Sequence, residues 1–312
     1  MEQLESEEST HLFRVLVTFH PALLLNRTQQ SLFYLLSISG DVKSTHQKFS
    51  RLDDPSLNVV INGTQIDQVQ YAKLLGITID SFLSWKNHID NISSQIRSRL
   101  YLLRRIKPFL TQACCFRYYN SCIYSSFLYC SSAWGNCSNS LLLRLLKLQK
   151  LAARIILDAD FSYSSTQLFA KLKWLPISLL INFRKLVTLF NILNNPNSPR
   201  CLKENFKFLS SLRSSGAITR ACSSDLYVRH PRTNSGKRTF TYTAASLFNC
   251  LDLDLKLLLR HPNHSLSLSS NLSNFKSKIL NLFLQFSSSV SHLEELFCLV
   301  CRYKLRCTCI RK

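Results

Sequence analysis

With 312 residues, 46% of them hydrophobic, the chain is long enough to bury one large or two modest cores, which excludes global disorder. Its formal net charge of +21 and pI of 9.7 favour polyanionic partners, nucleic acid or anionic lipid. The charge is uneven: residues 1–60 hold five Lys/Arg against seven acids, and residues 61–312 hold 34 against 11, so the basic surface belongs to the later parts.

No apolar run reaches the ~18–20 residues a spanning helix needs, and "FRVLVTF" and "ILNLFLQF" are short and polar-flanked. The start, "MEQLESEEST", is acidic where a secretory or mitochondrial leader is basic. An intracellular chain, nuclear or cytoplasmic, with no signal peptide, no transmembrane helix and no membrane partner is the expectation. Twelve cysteines without a compact framework then read as reduced thiols, most of them small buried hydrophobes.

In chain order, residues 1–56 are weakly organised, with apolar patches at Leu12 to Leu25 and Leu32 to Ile38 before Asp54-Pro55. Residues 57–83 carry a hairpin signal. "NVVI" and "TQIDQV" flank Asn62-Gly63, a pair suited to a type I′ turn because both central residues need φ > 0. "KLLGITID" follows as a neighbouring strand. Residues 84–158 turn helical: Trp85, Ile89, Ile92, Ile96, Leu100, Leu103 and Ile106 step by three and four, an apolar stripe with Ser84 as N-cap and Pro108 as terminator. Off the stripe lie Lys86, Arg97, Arg99, Arg104, Arg105 and Lys107. Further helices are expected from Gln112 to Tyr129 and from Ser140 through "LLLRLLKLQKLAARIIL", with a turn at Gly135-Asn136 between them. Short loops joining three helices suggest an antiparallel bundle.

Residues 159–283 continue as helix around "QLFAKLKWLPISLLINFRKLVTLFNIL", broken at Pro176 and stopped by "NNPNSPR". "DLYVRHPRTNSGKRTFTYTAASLFN" alternates like a second hairpin around Asn234-Ser235-Gly236, with Arg229, Arg232, Lys237 and Arg238 at its turn. A short helix and a Ser/Leu-rich linker near 262–274 lead to "NFKSKILNLFL". Residues 284–312 read as an unrelated Cys/basic tail. The fold class is therefore mainly α, a helical bundle with small β-hairpins.

Catalytic signatures are scarce. There is no Walker-type loop, no G-x-G-x-x-G and no H-E-x-x-H, and six glycines leave little for a phosphate loop. Asp53-Asp54 lie in "RLDDPSL", with no apolar strand to fix them as a two-metal pair. His88 beside Trp85 reads as a packing or hydrogen-bonding residue. The tail "CLVCRYKLRCTC" offers Cys298, Cys301, Cys307 and Cys309 as four thiolates for tetrahedral zinc. Five residues between the pairs are tight for a ribbon or knuckle, so no metal is expected. Nucleic-acid binding needs charge to meet phosphates and aromatic faces for bases, and "RSRLYLLRRIKPFLTQACCFRYY" supplies both. The plain alternative is a solvated helix face over core aromatics.

Two strings resemble a specific family. "YAKLLGITIDSFLSWKNHIDNISSQIRSRLYLLRRIKPFL" and "YNSCIYSSFLYCSSAWGNCSNSLLLRLLKLQKLAARIIL" look like the region downstream of the catalytic palm motifs in jockey-type non-LTR retrotransposon reverse transcriptases, RNA-directed DNA polymerases of mobile elements. The elements "LGITID", "LSWKNHI", "YCSSAWGNC" and "LQKLAARII" fall in that family's order and spacing. The likeness continues more loosely through "LKWLPI", "PRTNSGKRTFTYTAASLFN" and "FKSKIL", roughly residues 25 to 283.

By resemblance, 1–56 is a palm remnant, 57–83 a primer-grip-like hairpin and strand, 84–158 a thumb-like bundle and 159–283 a C-terminal region. The family's metal-binding aspartates sit in an aromatic-Ala-Asp-Asp strand turn, which does not occur here. Gln29-Gln30 stand where a Lys-Thr pair aligns, and Phe248 stands in a Trp position. The expectation is a catalytically incomplete reverse-transcriptase fragment, not an enzyme, without a cofactor. Mg²⁺ would enter only with an upstream catalytic half. Its partner would be RNA or an RNA–DNA duplex, met by Lys86, Arg97, Arg104, Arg105, Lys107, Arg232, Lys237 and Arg238, with Trp85, Trp134 and Gly135 in structural roles. The rival expectation is a helical protein-interaction module without nucleic-acid function, whose apolar excess at Leu141 to Leu157 needs a partner chain.

Overall fold

Two short antiparallel hairpins precede the helices in the computed structural model, which describes residues 45–46, 59–61, 64–212, 224–233, 236–263, 265–290 and 293. Strand β2 (Val59–Ile61) pairs with β3 (Thr64–Gln68), Ile61 opposite Thr64, so only Asn62 and Gly63 separate the strands, as their turn chemistry predicts. The edge of β3 also takes β1 (Thr45–His46) in parallel. Most of the N-terminal segment, with Gln29-Gln30 and Asp53-Asp54, lies outside the described residues.

"KLLGITID" is two strands, where the sequence reading expects one. β4 (Tyr71–Leu74) folds back on β5 (Ile77–Asp80) through Leu75 and Gly76, both at positive φ (45° and 78°). The left-handed pair reverses the chain in two residues. Leu74, Ile77 and Ile79 form a small core of their own against Leu83, Trp85 and Cys130.

Helix α1 (Lys86–Ile106) buries Ile89, Ile92, Ile96, Leu100 and Leu103, the expected stripe, and gives way at Pro108 to the 3₁₀ turn Lys107–Phe109. Its entry differs from the expectation. Trp85, at φ 64°, occupies the N-cap position and Ser84 precedes it. The Asp80 carboxylate accepts from the Ser84 and Trp85 backbone N–H groups, both at 2.9 Å, tying the end of β5 to the start of the helix. Helix α2 (Gln112–Tyr118), capped by Thr111, passes through a π-helical stretch (Tyr119–Tyr124) into α3 (Ser125–Leu128). Within the π stretch the Arg99 guanidinium donates to the Cys122 carbonyl, and just beyond it to Ser126 Oγ, so α1 is tied to this irregular segment.

Helix α4 (Ser131–Trp134) leads to α5 (Asn139–Leu157). Asp90 near the start of α1 pairs with Arg144 near the start of α5 at 2.6 Å, and Lys107 beyond α1 pairs with Asp158 beyond α5 at 2.5 Å. Helices α1 and α5 therefore run parallel, as the first and third of an up-down-up bundle do. The leucines of α5 find their partners within the chain: Leu141, Leu142, Leu145, Leu146 and Leu148 are buried in the common core.

Helix α6 (Ser165–Leu172) and Pro176 precede α7 (Ile177–Asn194), the helix on which α4, α5, α10, α11 and α12 pack. By length and composition α7 could cross a bilayer, but its position is that of a core helix, most of it covered by protein. Two four-residue helices follow, α8 (Arg200–Lys203) and α9 (Leu209–Leu212).

The expected second hairpin is absent from the described residues. Leu226 makes a single antiparallel bridge with Phe208, and "FTYTAASLFN" is helix α10 (Phe240–Asn249), capped by Thr239. Its Thr and Tyr residues suit strands. The apolar set Phe240, Ala244, Ala245, Leu247 and Phe248, however, has helical spacing and is buried, and that burial decides. Helix α11 (Leu253–Arg260) comes next, and α12 (Leu268–Ser288) begins inside the stretch read as a linker. The boundary at 283/284 also moves, since α12 runs through it and Val290 and Leu293 are buried. Residues 84–158 and 159–283 share one core, from Ile89 to Leu293.

Candidate nucleic-acid interface

On α1, Lys86, Arg97 and Arg104 are separated by 11 and 7 residues, close to three and two turns, so they share one line along the helix. At ~1.5 Å per residue they span about 27 Å. All three are exposed, and among the described residues no carboxylate pairs with them. Arg105 is also exposed; its Nη1 donates to Tyr101 Oη at 3.1 Å and its guanidinium carbon stands 5.8 Å from that ring. The row thus carries exposed positive charge with an aromatic face beside it.

Lys107 differs from the others in being paired: its ammonium is held by Asp158, its side chain is 24% exposed, and the pair ties α1 to α5. Arg232, Lys237 and Arg238 are exposed as expected but stand elsewhere: Lys237 and Arg238 lie on the 3₁₀ turn Gly236–Arg238 ahead of α10, where the sequence reading placed a hairpin turn. A Cβ on Gly236 would come within 2.5 Å of Pro231 Cβ, so these two residues approach closely beside Arg232. Asn234 and Ser235 lie outside the described residues, as do Cys298, Cys301, Cys307 and Cys309. Among the described residues no group of three or more His, Cys, Asp or Glu could hold a metal ion.

The expected structural residues are all at packing joints. Trp134 is fully buried and its Nε1 donates to the Tyr129 carbonyl at 2.7 Å. Gly135 lies against α7: an added Cβ would meet Ile181 Cγ2 and the Ser131 carbonyl, each at 2.4 Å. Trp85 packs on both cores and meets His88 edge-on, with ring centroids 6.3 Å apart. His88 lies between Trp85 and Trp134, and its Nδ1 accepts from the Thr78 N–H at 3.4 Å. Burial lowers its pKa, so the imidazole is held neutral, which the acceptor role of Nδ1 requires.

Three residues have roles that the sequence pattern does not announce. Asp80 closes the strand-to-helix corner although it stands five positions before its farther partner. Arg99 is committed to the π stretch. Lys185, buried in the middle of α7, donates to Asn136 Oδ1 at 2.6 Å, and Asn136 Nδ2 donates to Thr243 Oγ1 at 3.3 Å, joining α7, the turn after α4 and α10 through one polar contact chain. A cation on a helix counts equally in net charge whether it is buried or bare, so composition could not separate Lys185 or Arg99 from Arg97.

Burial also raises the Cys130 thiol and the Tyr119 phenol, which keeps both protonated at neutral pH and suits packing rather than nucleophilic chemistry. The described surface of α1 therefore presents exposed cations with an aromatic face beside them. No family model, no curated protein and no solved structure matches the chain.

Proposed function

We propose that the chain is a catalytically incomplete part of a jockey-type non-LTR retrotransposon reverse transcriptase that retains binding to RNA or an RNA–DNA duplex. The line Lys86, Arg97 and Arg104 carries the binding half of this reading: cations left without carboxylate partners along one helix face suit the regular charge of a phosphate backbone. The family half rests on the order and spacing of "LGITID", "LSWKNHI", "YCSSAWGNC" and "LQKLAARII". In this reading the β4–β5 hairpin and Trp85 place the helix, and α1 meets the nucleic acid. No residue of the chain does chemistry on it.

Filter binding of an RNA–DNA duplex at two salt concentrations tests the binding half. Affinity is expected to fall steeply as salt rises, with the slope of log K on log salt reduced by about 1 for each of Arg97→Ala and Arg104→Ala. A flat salt response, or no binding at low salt, overturns it. Primer extension with Mg²⁺ is expected to yield no product, and extension would overturn the non-catalytic half.

A further inference from the structure

Large apolar rings are exposed on the two elements that meet where α1 and α5 finish. Phe109, in the 3₁₀ turn after α1, is 87% exposed, and Phe161, in the loop after α5, is 81% exposed; Tyr101 and Tyr163 are exposed on the same two elements. The Lys107–Asp158 pair brings the elements together, since Lys107 is two residues before Phe109 and Asp158 three before Phe161. Guanidinium groups attend the rings: Arg105 stands over Tyr101, and Arg154 stands 5.2 Å from the Phe161 centroid while donating to the Tyr163 carbonyl. Large bare rings on adjoining elements are uncommon on a folded surface and mark contact sites.

We infer that this end is a stacking platform for single-stranded nucleic acid: unpaired bases lie on Phe109 and Phe161 while the phosphates run past Arg104, Arg105 and Arg154. The inference rests on the function proposed above and adds a strand preference. A duplex offers its rings only at its ends, so the exposed phenylalanines distinguish an unpaired strand from a paired one. An anionic bilayer fits less well. Asp160 is exposed beside Phe161, and inserting that ring would drive a carboxylate among negative headgroups, whereas a strand crossing the rings leaves its phosphates on the arginine side.

The test uses the full chain, with fluorescence anisotropy on labelled oligouridylate and on a blunt RNA–DNA duplex, and flotation with phosphatidylserine vesicles. Oligouridylate affinity is expected to fall about 10-fold or more in F109A/F161A, duplex affinity to stay unchanged, and F109Y/F161Y to restore stacking. Equal losses for both nucleic acids, no loss for the single strand, or failure of the tyrosine variant to rescue would overturn the inference. So would vesicle binding that needs the two rings while oligouridylate binding does not. If R97E/R104E abolishes duplex binding while F109A/F161A leaves the single strand unaffected, the platform is refuted and the proposed function stands. If the unaltered chain binds neither nucleic acid, both are refuted.

Discussion

Helices α1 and α7 are of similar length, 21 and 18 residues, and both carry cations, yet they use them in opposite ways. Helix α7 is covered by its neighbours, and its Lys185 is spent on Asn136 inside the protein. Helix α1 buries one stripe and leaves Lys86, Arg97 and Arg104 bare. A charge therefore acquires its role from what packs around its helix. In α7 it fixes a core contact, and in α1 it remains available to a partner.

The sharpest way to break that contrast is to remove packing from α7. Phe190 is fully buried, with its ring 4.9 Å from that of Phe275 on α12, and Phe190→Ala is expected to cost about 3–5 kcal/mol in urea unfolding. A loss below about 1 kcal/mol would mean that α7 is not the helix on which the core depends. On the α1 side, Asp80→Ala removes the acceptor for two backbone N–H groups at the helix entry. A loss of about 1 kcal/mol is expected from the same measurement, together with increased hydrogen exchange at Ser84 and Trp85.

The pH dependence at His88 probes the joint between the hairpin and α1. Burial holds its folded pKa below 6.5, so on acidification the unfolded chain takes up this proton first. The stabilisation from neutral His88 is complete above 6.5 and is lost as the pH falls from there through the folded value. Urea midpoints measured across that window should decline in the unaltered chain, and His88→Phe should flatten this component; an unchanged decline would remove His88 from the account. The smallest stability effect belongs to the bare row. Arg97→Ala and Arg104→Ala should each change unfolding free energy by less than about 0.5 kcal/mol, and a larger cost would show that these cations belong to the fold as Lys185 does.

The same contrast explains what could be read in advance. The α1 stripe was legible because half its surface is solvent, and a two-sided environment imprints a 3.6-residue period on the sequence. The Asn62-Gly63 hairpin was legible because its loop residues suit the turn. "KLLGITID" misled because its turn places Leu75, an unusual residue for positive φ, before the only glycine. "RTFTYTAASLFN" misled because local β-propensity opposed a helix that the core imposes through Phe240, Ala244 and Phe248. In the candidate interface, the exposed cations of α1 were recognisable from their places off the stripe. The pairing of Lys107 with a residue 51 positions away was not, because nothing local to either residue announces a partner.

Among the described residues, six other than glycine, Leu75, Leu83, Trp85, Cys130, Asp158 and Lys173, hold φ between 45° and 64°, and each lies at a corner between elements. A chain with six glycines in all turns its corners with residues that have other duties. Asp158 both turns the chain after α5 and grips Lys107, so glycine there would relieve the backbone and uncouple two helices in a single change. At Lys173, whose exposed side chain makes no ion pair among the described residues, glycine would bring the relief alone. Corners of the first kind transmit a local edit to distant parts of the molecule, and corners of the second kind insulate against it.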